Sequence, residues 1–407
     1  MTRAEKILLF VLACINFTHI VDFMIMMPLG PQLMRYFSIG PQAFGFIVSS
    51  YSLSAGTSGF LAAFFVDRFP RKQVVLMAYS GFVIGTLACG IAPNFELLIA
   101  ARVLAGIFGG ILSAQVLSIV GDVFAYERRA QAMSIVMTAF SAASVVGVPF
   151  GLYIATEFSW HAPFLFVGFL GFGVILLIWR FVPPLDGHLV SKNLRPSPIT
   201  ILTTIARSPN QLRALWLTTT IMLGHFSIIP FISPYLVANV GYSESDIYLI
   251  YLVGGALTIF SAPLVGKLAD RRGKYPIFVV FALLSMIPIY LITHMPEASL
   301  SYVLFVSGLF FIFSNGRLVP TQAMTASVVA PQQRGGFMSI NSSVQLLAQA
   351  MATYGAGVVI GKTATGQLTH YGTVGFLAMA AIFASIFIAR YVKPIDAAPT
   401  PEPQPAL

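Results

Sequence analysis

Apolar runs of roughly 18–25 residues follow one another along the whole chain, separated by short polar, basic or proline-bearing breaks. At the helical rise of about 1.5 Å per residue, each run is long enough to cross the hydrocarbon core of a bilayer. Twelve spans are predicted. The first six lie near 6–27, 43–66, 73–92, 95–120, 131–155 and 162–183, and the second six near 213–236, 246–268, 275–294, 299–327, 335–360 and 371–392. The longest polar stretch, 184–212, carries Pro184, Pro196, Pro198 and Pro209 with Lys192, Arg195 and Arg207, and is predicted to link the two sets. The tail, 394–407, is rich in proline and is expected to be disordered. The predicted fold class is an all-α integral membrane protein. It has twelve transmembrane helices in two six-helix bundles, residues 1–183 and 213–393.

Composition agrees with the pattern. Of 407 residues, 57% are hydrophobic and 9% charged, against about 25% charged in a soluble domain. Most of the surface must therefore face lipid. Cys14 and Cys89 both sit inside apolar runs, which argues against a disulfide framework or a metal site. The first residues imitate a secretory or lipoprotein signal, but the apolar run continues past Cys14 to Met27 and reads as a retained helix. The net charge of +9 does not point to nucleic acid. All basic residues but Arg35, Lys362, Arg102 and Arg317 fall in or beside loops on one predicted side. By the positive-inside rule both termini are expected in the cytoplasm, and a bacterial-type inner membrane is the expected location.

The two sets of spans repeat each other. Asp67-Arg68-Phe69-Pro70-Arg71-Lys72 returns at an offset of 203 (67 to 270) as Asp270-Arg271-Arg272-Gly273-Lys274. At that offset Pro31-Gln32-Leu33 matches Pro234-Tyr235-Leu236, and Asp22 falls opposite His225. At 205 (129 to 334), Arg129-Ala130 matches Arg334-Gly335, and Met133-Ser134-Ile135 matches Met338-Ser339-Ile340. Two parallel halves imply a pseudo-twofold axis along the membrane normal, with a substrate site where the halves meet.

The loop Gly266-Lys267-Leu268-Ala269-Asp270-Arg271-Arg272-Gly273-Lys274 resembles the signature loop of the major facilitator superfamily, and the resemblance covers nearly the whole chain. The first-half copy departs, with Ala63 and Pro70 where the family usually has glycine. The resemblance implies a gating role for Asp67, Arg68, Arg71, Lys72, Asp270, Arg271 and Lys274, with Arg128, Arg129 and Arg334 as partners across the loop. The simpler alternative for Arg68, Lys72, Arg272 and Lys274 is that they only fix topology. Arg102-Val103-Leu104-Ala105-Gly106 is similar to the Arg-x-x-x-Gly motif of drug:proton antiporters. Gly147-Val148-Pro149-Phe150-Gly151 resembles their antiporter motif in degenerate form. Ala143, Gly147 and Gly151 recur every four positions and are expected to pack at the interface of the halves; an ordinary packing seam with a Pro149 bend is the alternative.

Ionisable groups inside spans are functional candidates. Asp22 is the acid deepest in a span, roughly 25 Å along the helix from Glu5, and Arg102 is about 10 Å in from the outer end of its span. An Asp22–Arg102 contact is expected, serving proton coupling or a permanent structural bridge. Arg317 is expected to attract an anionic substrate, to pair with Asp122 or to snorkel to the interface. His19, Met26, Gln115, His225, Gln322, Asn341 and Gln345 are further cavity candidates, with some of them bonding only neighbouring helices.

No nucleophile–base set, His-Glu-x-x-His or phosphate-binding loop is present, which opposes an enzyme or an ATPase. No cofactor or metal is expected. The expected function is a monomeric secondary transporter that exchanges a small organic molecule for protons. An uptake symporter or uniporter is the alternative within the fold, and a membrane receptor the alternative outside it.

Overall fold

A computed structural model describes residues 1–186, 198–330 and 333–395, without the side chains of Asp67, Tyr126, Glu127, Ala130 and Pro198. The first half comprises α1 (Arg3–Ile25), α2 (Gly30–Tyr36), α3 (Pro41–Ala62), α4 (Arg71–Gly90), α5 (Phe95–Val123), α6 (Tyr126–Ala142), α7 (Val148–Glu157) and α8 (Ala162–Phe181). The second comprises α9 (Pro198–Arg207), α10 (Pro209–Phe226), α11 (Ile229–Asn239), α12 (Ile247–Arg272), α13 (Lys274–Thr293), α14 (Leu300–Ala326), α15 (Arg334–Val359) and α16 (Tyr371–Arg390). A small hairpin of β1 (Gly361–Lys362) and β2 (Leu368–Thr369) precedes α16.

Local chemistry sets the helix starts. Thr2 and Glu5 form a capping box on α1, Asn94 caps α5, and Ser208 caps α10 with Pro209 in its first turn. The predicted linker 184–212 is described in part. Its residues 187–197 lie outside the described ones, and the remainder forms α9 and the start of α10. Most of the predicted tail, 396–407, is also outside them.

The first span of each half is broken. α1 gives way to α2 at Pro28, and α10 to α11 just before Pro230, because proline cannot donate in the helical ladder. The fifth span is interrupted by a π-turn at Ala143–Gly147, between α6 and α7.

Contacts within the halves repeat. α1 packs on α6 and α8, α3 on α5, and α4 on α5 and α8; in the same order α10 packs on α15 and α16, α12 on α14, and α13 on α14 and α16. The pseudo-twofold axis can be located, because only residues on such an axis touch their own counterparts. Phe23 and Phe226, related by the 203-residue offset, have ring centroids 6.2 Å apart. α2 likewise packs on α11.

Two seams join the halves: α3 against α15, and α12 against α7 and the π-turn. On the side away from the termini the closure is tight. Phe44 meets Phe231 edge to face at 5.8 Å, Gly45 lies against Thr353 and Gly357, and Arg35 grips Glu244 with bonds of 2.5 and 2.7 Å. On the terminal side α12 meets α6 over a short stretch only, so the seam is sparser there.

Among the described residues, ten helical segments are long and apolar enough to cross a membrane by length and composition. α3 and α15 are not among them. Their serines, glutamines and asparagine are tolerated because each helix buries a face against the other and against its own bundle.

Candidate functional site

Beside the axis, α1 and α5 bring Asp22 and Arg102 together. Arg102 Nη1 donates to Asp22 Oδ2 at 2.8 Å and lies 3.4 Å from the Asp22 carbonyl oxygen. Both side chains are 0% exposed. The guanidinium carbon stands 4.3 Å from the centroid of Tyr51 on α3, a cation–π contact that suits a desolvated site. Thr86 of α4 lies next to the carboxylate, outside normal hydrogen-bond geometry. Asp22 Oδ1 and Arg102 Nε and Nη2 have no hydrogen-bond partner among the described residues. Such a pair holds two charges out of water with bonding capacity left over, which is an arrangement suited to change.

A chain of rings leads from the pair to the other half. Tyr51 lies 5.5 Å from Phe23, and Phe23 meets Phe226 across the axis. His19 sits on the same side, 6.1 Å from Tyr51 and 5.6 Å from Phe82. α3 approaches α5 closely at Gly106, where an added Cβ would stand 2.5 Å from the Tyr51 carbonyl oxygen.

The equivalent helices of the second half hold His225 and Arg317. Arg317 is fully buried. It donates to Ser285 Oγ of α13 at 2.7 Å and lies 3.4 Å from His225 Nδ1. Asp122 is not its partner. That carboxylate takes a 3.0 Å bond from Arg71 Nε, and Arg71, also fully buried, reaches Gln115 Oε1 at 3.4 Å. Asp122 ends its span on the terminal side of the first half, whereas Arg317 is held inside the second. Gln115 thus serves this cluster rather than an open cavity.

The remaining predicted residues divide by environment. Asn341 accepts from Thr218, Gln345 is half-buried on α15, Gln322 is exposed on α14, and Met26 is fully buried where α1 ends. Gly147 and Gly151 face Val21 and Ile25 of α1, and Ala143 clusters with Val21. The small-residue stripe with Pro149 therefore packs within the first half, not at the interface of the halves. It is Ser144 and Val145 of the π-turn that meet Gly255 of α12.

The loop residues are mostly held inside their own halves. Arg128 pairs with Glu5, Arg129 donates to the Phe124 carbonyl, and Lys72 to that of Trp179, while Arg68 is exposed. Asp270, Arg271, Lys274 and Arg334 form no ion pair among the described residues. The Asp67 side chain is outside the description. Gly273 at φ 94° turns the chain from α12 to α13, a conformation open to glycine at little cost. In the first half Pro70 achieves the turn with a 3₁₀ segment, Val66–Arg68, instead. Sequence reasoning missed Tyr51, Thr86 and Ser285, which are ordinary residues in apolar runs. It also missed Arg35–Glu244, whose opposite charges in loops on one side were the available signal.

The family model described as Major Facilitator Superfamily matches residues 12–353 and 228–406. Over 368 residues the chain is 26% identical to the uncharacterized MFS-type transporter YceJ of Bacillus subtilis, covering 88% of this chain and 89% of that one. It is 21% identical over 365 residues to a probable sugar efflux transporter of Helicobacter pylori, covering 89% and 88%. Its fold is similar to the crystal structure of a D-xylose-proton symporter, with a TM-score of 0.78, 15% identity and coverage of 96% and 98%. An inward-facing, unoccupied bacterial homologue of the lysosomal transporter Spinster gives a TM-score of 0.72 at 16% identity, covering 96% and 95%.

Proposed function

The chain belongs to the Major Facilitator Superfamily, a transporter rather than an enzyme, and from that premise we propose that it exports a small organic molecule in exchange for protons. The observation that carries this reading is the fully buried Asp22–Arg102 pair next to the axis. Burial disfavours the ionised carboxylate and the guanidinium favours it, so changing their separation changes proton affinity. Tyr51 ties the pair to the helix that slides along the seam with the second half. Rocking of the halves then alters the pair's geometry and lets protons and substrate use the site in turn.

The Helicobacter pylori relative, named as a probable sugar efflux transporter, supports the outward direction. The sparser seam is on the terminal side, which the distribution of Lys and Arg assigns to the cytoplasm. Parting of the halves along that seam lets the site collect substrate from inside. Closure of that side brings the Asp67–Lys72 and Asp270–Lys274 loops toward Arg128, Arg129 and Arg334. The protein works as a monomer in an inner membrane, each half serving as the other's moving wall.

The test uses proteoliposomes with an internal pH dye, comparing wild type with Asp22→Asn. Drugs, sugars, amino acids and organic acids are added outside under an imposed pH gradient. Proton movement opposite to substrate, absent in the variant, supports the proposal. Movement in the same direction assigns symport instead. Substrate flux without protons, equal in both proteins, removes Asp22 from coupling.

A further inference from the structure

We infer that the second half carries a binding site for the carboxylate of a small organic acid, built on Arg317 with Ser285 and His225. The inference rests on the transport reading and names the substrate class.

It begins from an asymmetry between the halves. α1 and α5 hold a guanidinium with a carboxylate; α10 and α14 hold a guanidinium with an imidazole. At the repeat offset the position of Asp22 is taken by His225. Arg317 has no carboxylate partner among the described residues, and no acid acts on it from neighbouring helices. A buried charge without a counter-charge is among the costliest arrangements in a protein interior. A ligand carboxylate relieves it.

The donors are arranged for such a ligand. Ser285 Oγ donates to the Ala282 carbonyl oxygen at 2.8 Å and accepts from Arg317 Nη1, so the serine fixes the guanidinium plane. Arg317 Nε has no partner among the described residues and Nη2 has only the long contact to His225. These two nitrogens form one edge of the planar fork, the edge that takes a carboxylate bidentately. His225 is 8% exposed where Arg317 is 0%. The imidazole is thus the more accessible of the two, and the Phe226 ring packs edge-on against it at 5.3 Å. The imidazole lies parallel to Phe310 at 6.0 Å, and Phe311 packs on Phe310. Rotation of the imidazole on that ring opens the guanidinium to a ligand with a carboxylate head and an apolar body. A cationic ligand has no equivalent counter-charge, because Asp22, deep in its span, is already paired with Arg102.

Binding of radiolabelled benzoate to the purified full-length protein is measured in wild type, Arg317→Gln, His225→Asp and His225→Gln, with unlabelled benzamide and benzylamine as competitors. Wild type is expected to bind benzoate, with neither amide nor amine competing. Arg317→Gln weakens it at least about tenfold, the loss expected when one partner of a buried charge pair is removed. His225→Asp supplies a counter-charge from the chain itself, abolishes binding and melts no lower than wild type, which separates occupation of the site from misfolding. His225→Gln, which adds no counter-charge, weakens binding less than His225→Asp does. Equal benzoate binding in wild type, Arg317→Gln and His225→Asp overturns the inference, as does binding of benzamide or benzylamine in its place. Proton-coupled flux of a neutral solute without benzoate binding refutes this site alone. Benzoate binding without substrate-driven proton movement refutes the coupling reading and leaves the site standing.

Discussion

Removing one member of the Asp22–Arg102 pair should cost far more than removing both. The bond is 2.8 Å and both side chains are wholly buried, so Asp22→Asn leaves a buried guanidinium without a counter-charge, facing a neutral amide, the carbonyl oxygen of residue 22 at 3.4 Å and the Tyr51 ring. Breaking a buried pair from one side costs about 3–5 kcal/mol, whereas neutralising both partners is often close to neutral. The expected cycle has Asp22→Asn and Arg102→Gln each losing about 3 kcal/mol or more and the double variant less than about 2, giving a coupling energy of several kcal/mol. Unfolding of purified protein by heat or denaturing detergent, followed by circular dichroism, measures it. The same four proteins in the pH-dye assay separate stability from coupling, since the double variant folds but cannot exchange protons through this site. Single variants each within about 1 kcal/mol of wild type, and additive in the double, would show that the pair holds no energy and defeat the argument.

Other outcomes follow from the same geometry. Gly106→Ala should destabilise by about 1–3 kcal/mol, because the new methyl meets the Tyr51 carbonyl at 2.5 Å; Gly173→Ala, with open space around it, should be neutral or slightly stabilising in the same melt. Arg35–Glu244 is largely exposed on the arginine side, at 69%, so its loss should be worth about 0.2–1 kcal/mol. Arg35→Glu should therefore shift the population open on the non-terminal side roughly 1.4- to 5-fold, read by spin-label distances. Adding Glu244→Arg should reverse the shift, and high salt should mimic the single variant. Tyr51→Phe removes a hydroxyl that has no partner among the described residues and keeps the ring on Arg102, so the pH profile of transport should be retained. Tyr51→Leu loses the cation–π contact and should move that profile; identical profiles for the two variants would sever the ring chain from the pair.

The span pattern was legible in the sequence because twenty apolar residues have few alternatives to a membrane helix. The breaks inside spans were not. Pro28 and Pro230 are visible, but whether proline bends or ends a helix depends on what packs beside it, here α2 on α11. The Asp22–Arg102 contact could be anticipated, since two rare buried charges at compatible depths have few other partners. Arg317 could not be placed in the same way. Its neighbours are a serine and a histidine, residue types that carry no charge pattern, and the acid offered by sequence, Asp122, was already engaged by Arg71. The stripe Ala143–Gly147–Gly151 was read at regular helical spacing, but the π-turn shifts the register and turns the stripe toward α1.

The polarity of α3 and α15 has a consequence for how the protein is made. Both are more polar than the ten apolar helical segments, and each lies against the other, Gly59 close to Ser343. About 280 residues separate those contacts, so at roughly 5–20 residues per second of synthesis α3 waits roughly 15–55 s for its partner. During that interval it has α5 as its main packing partner, with α1 and α2 touching it locally. Biogenesis thus contains a timed vulnerability: until the eleventh span arrives, the second is the point at which the nascent chain is most easily misinserted, retained by a membrane chaperone or destroyed.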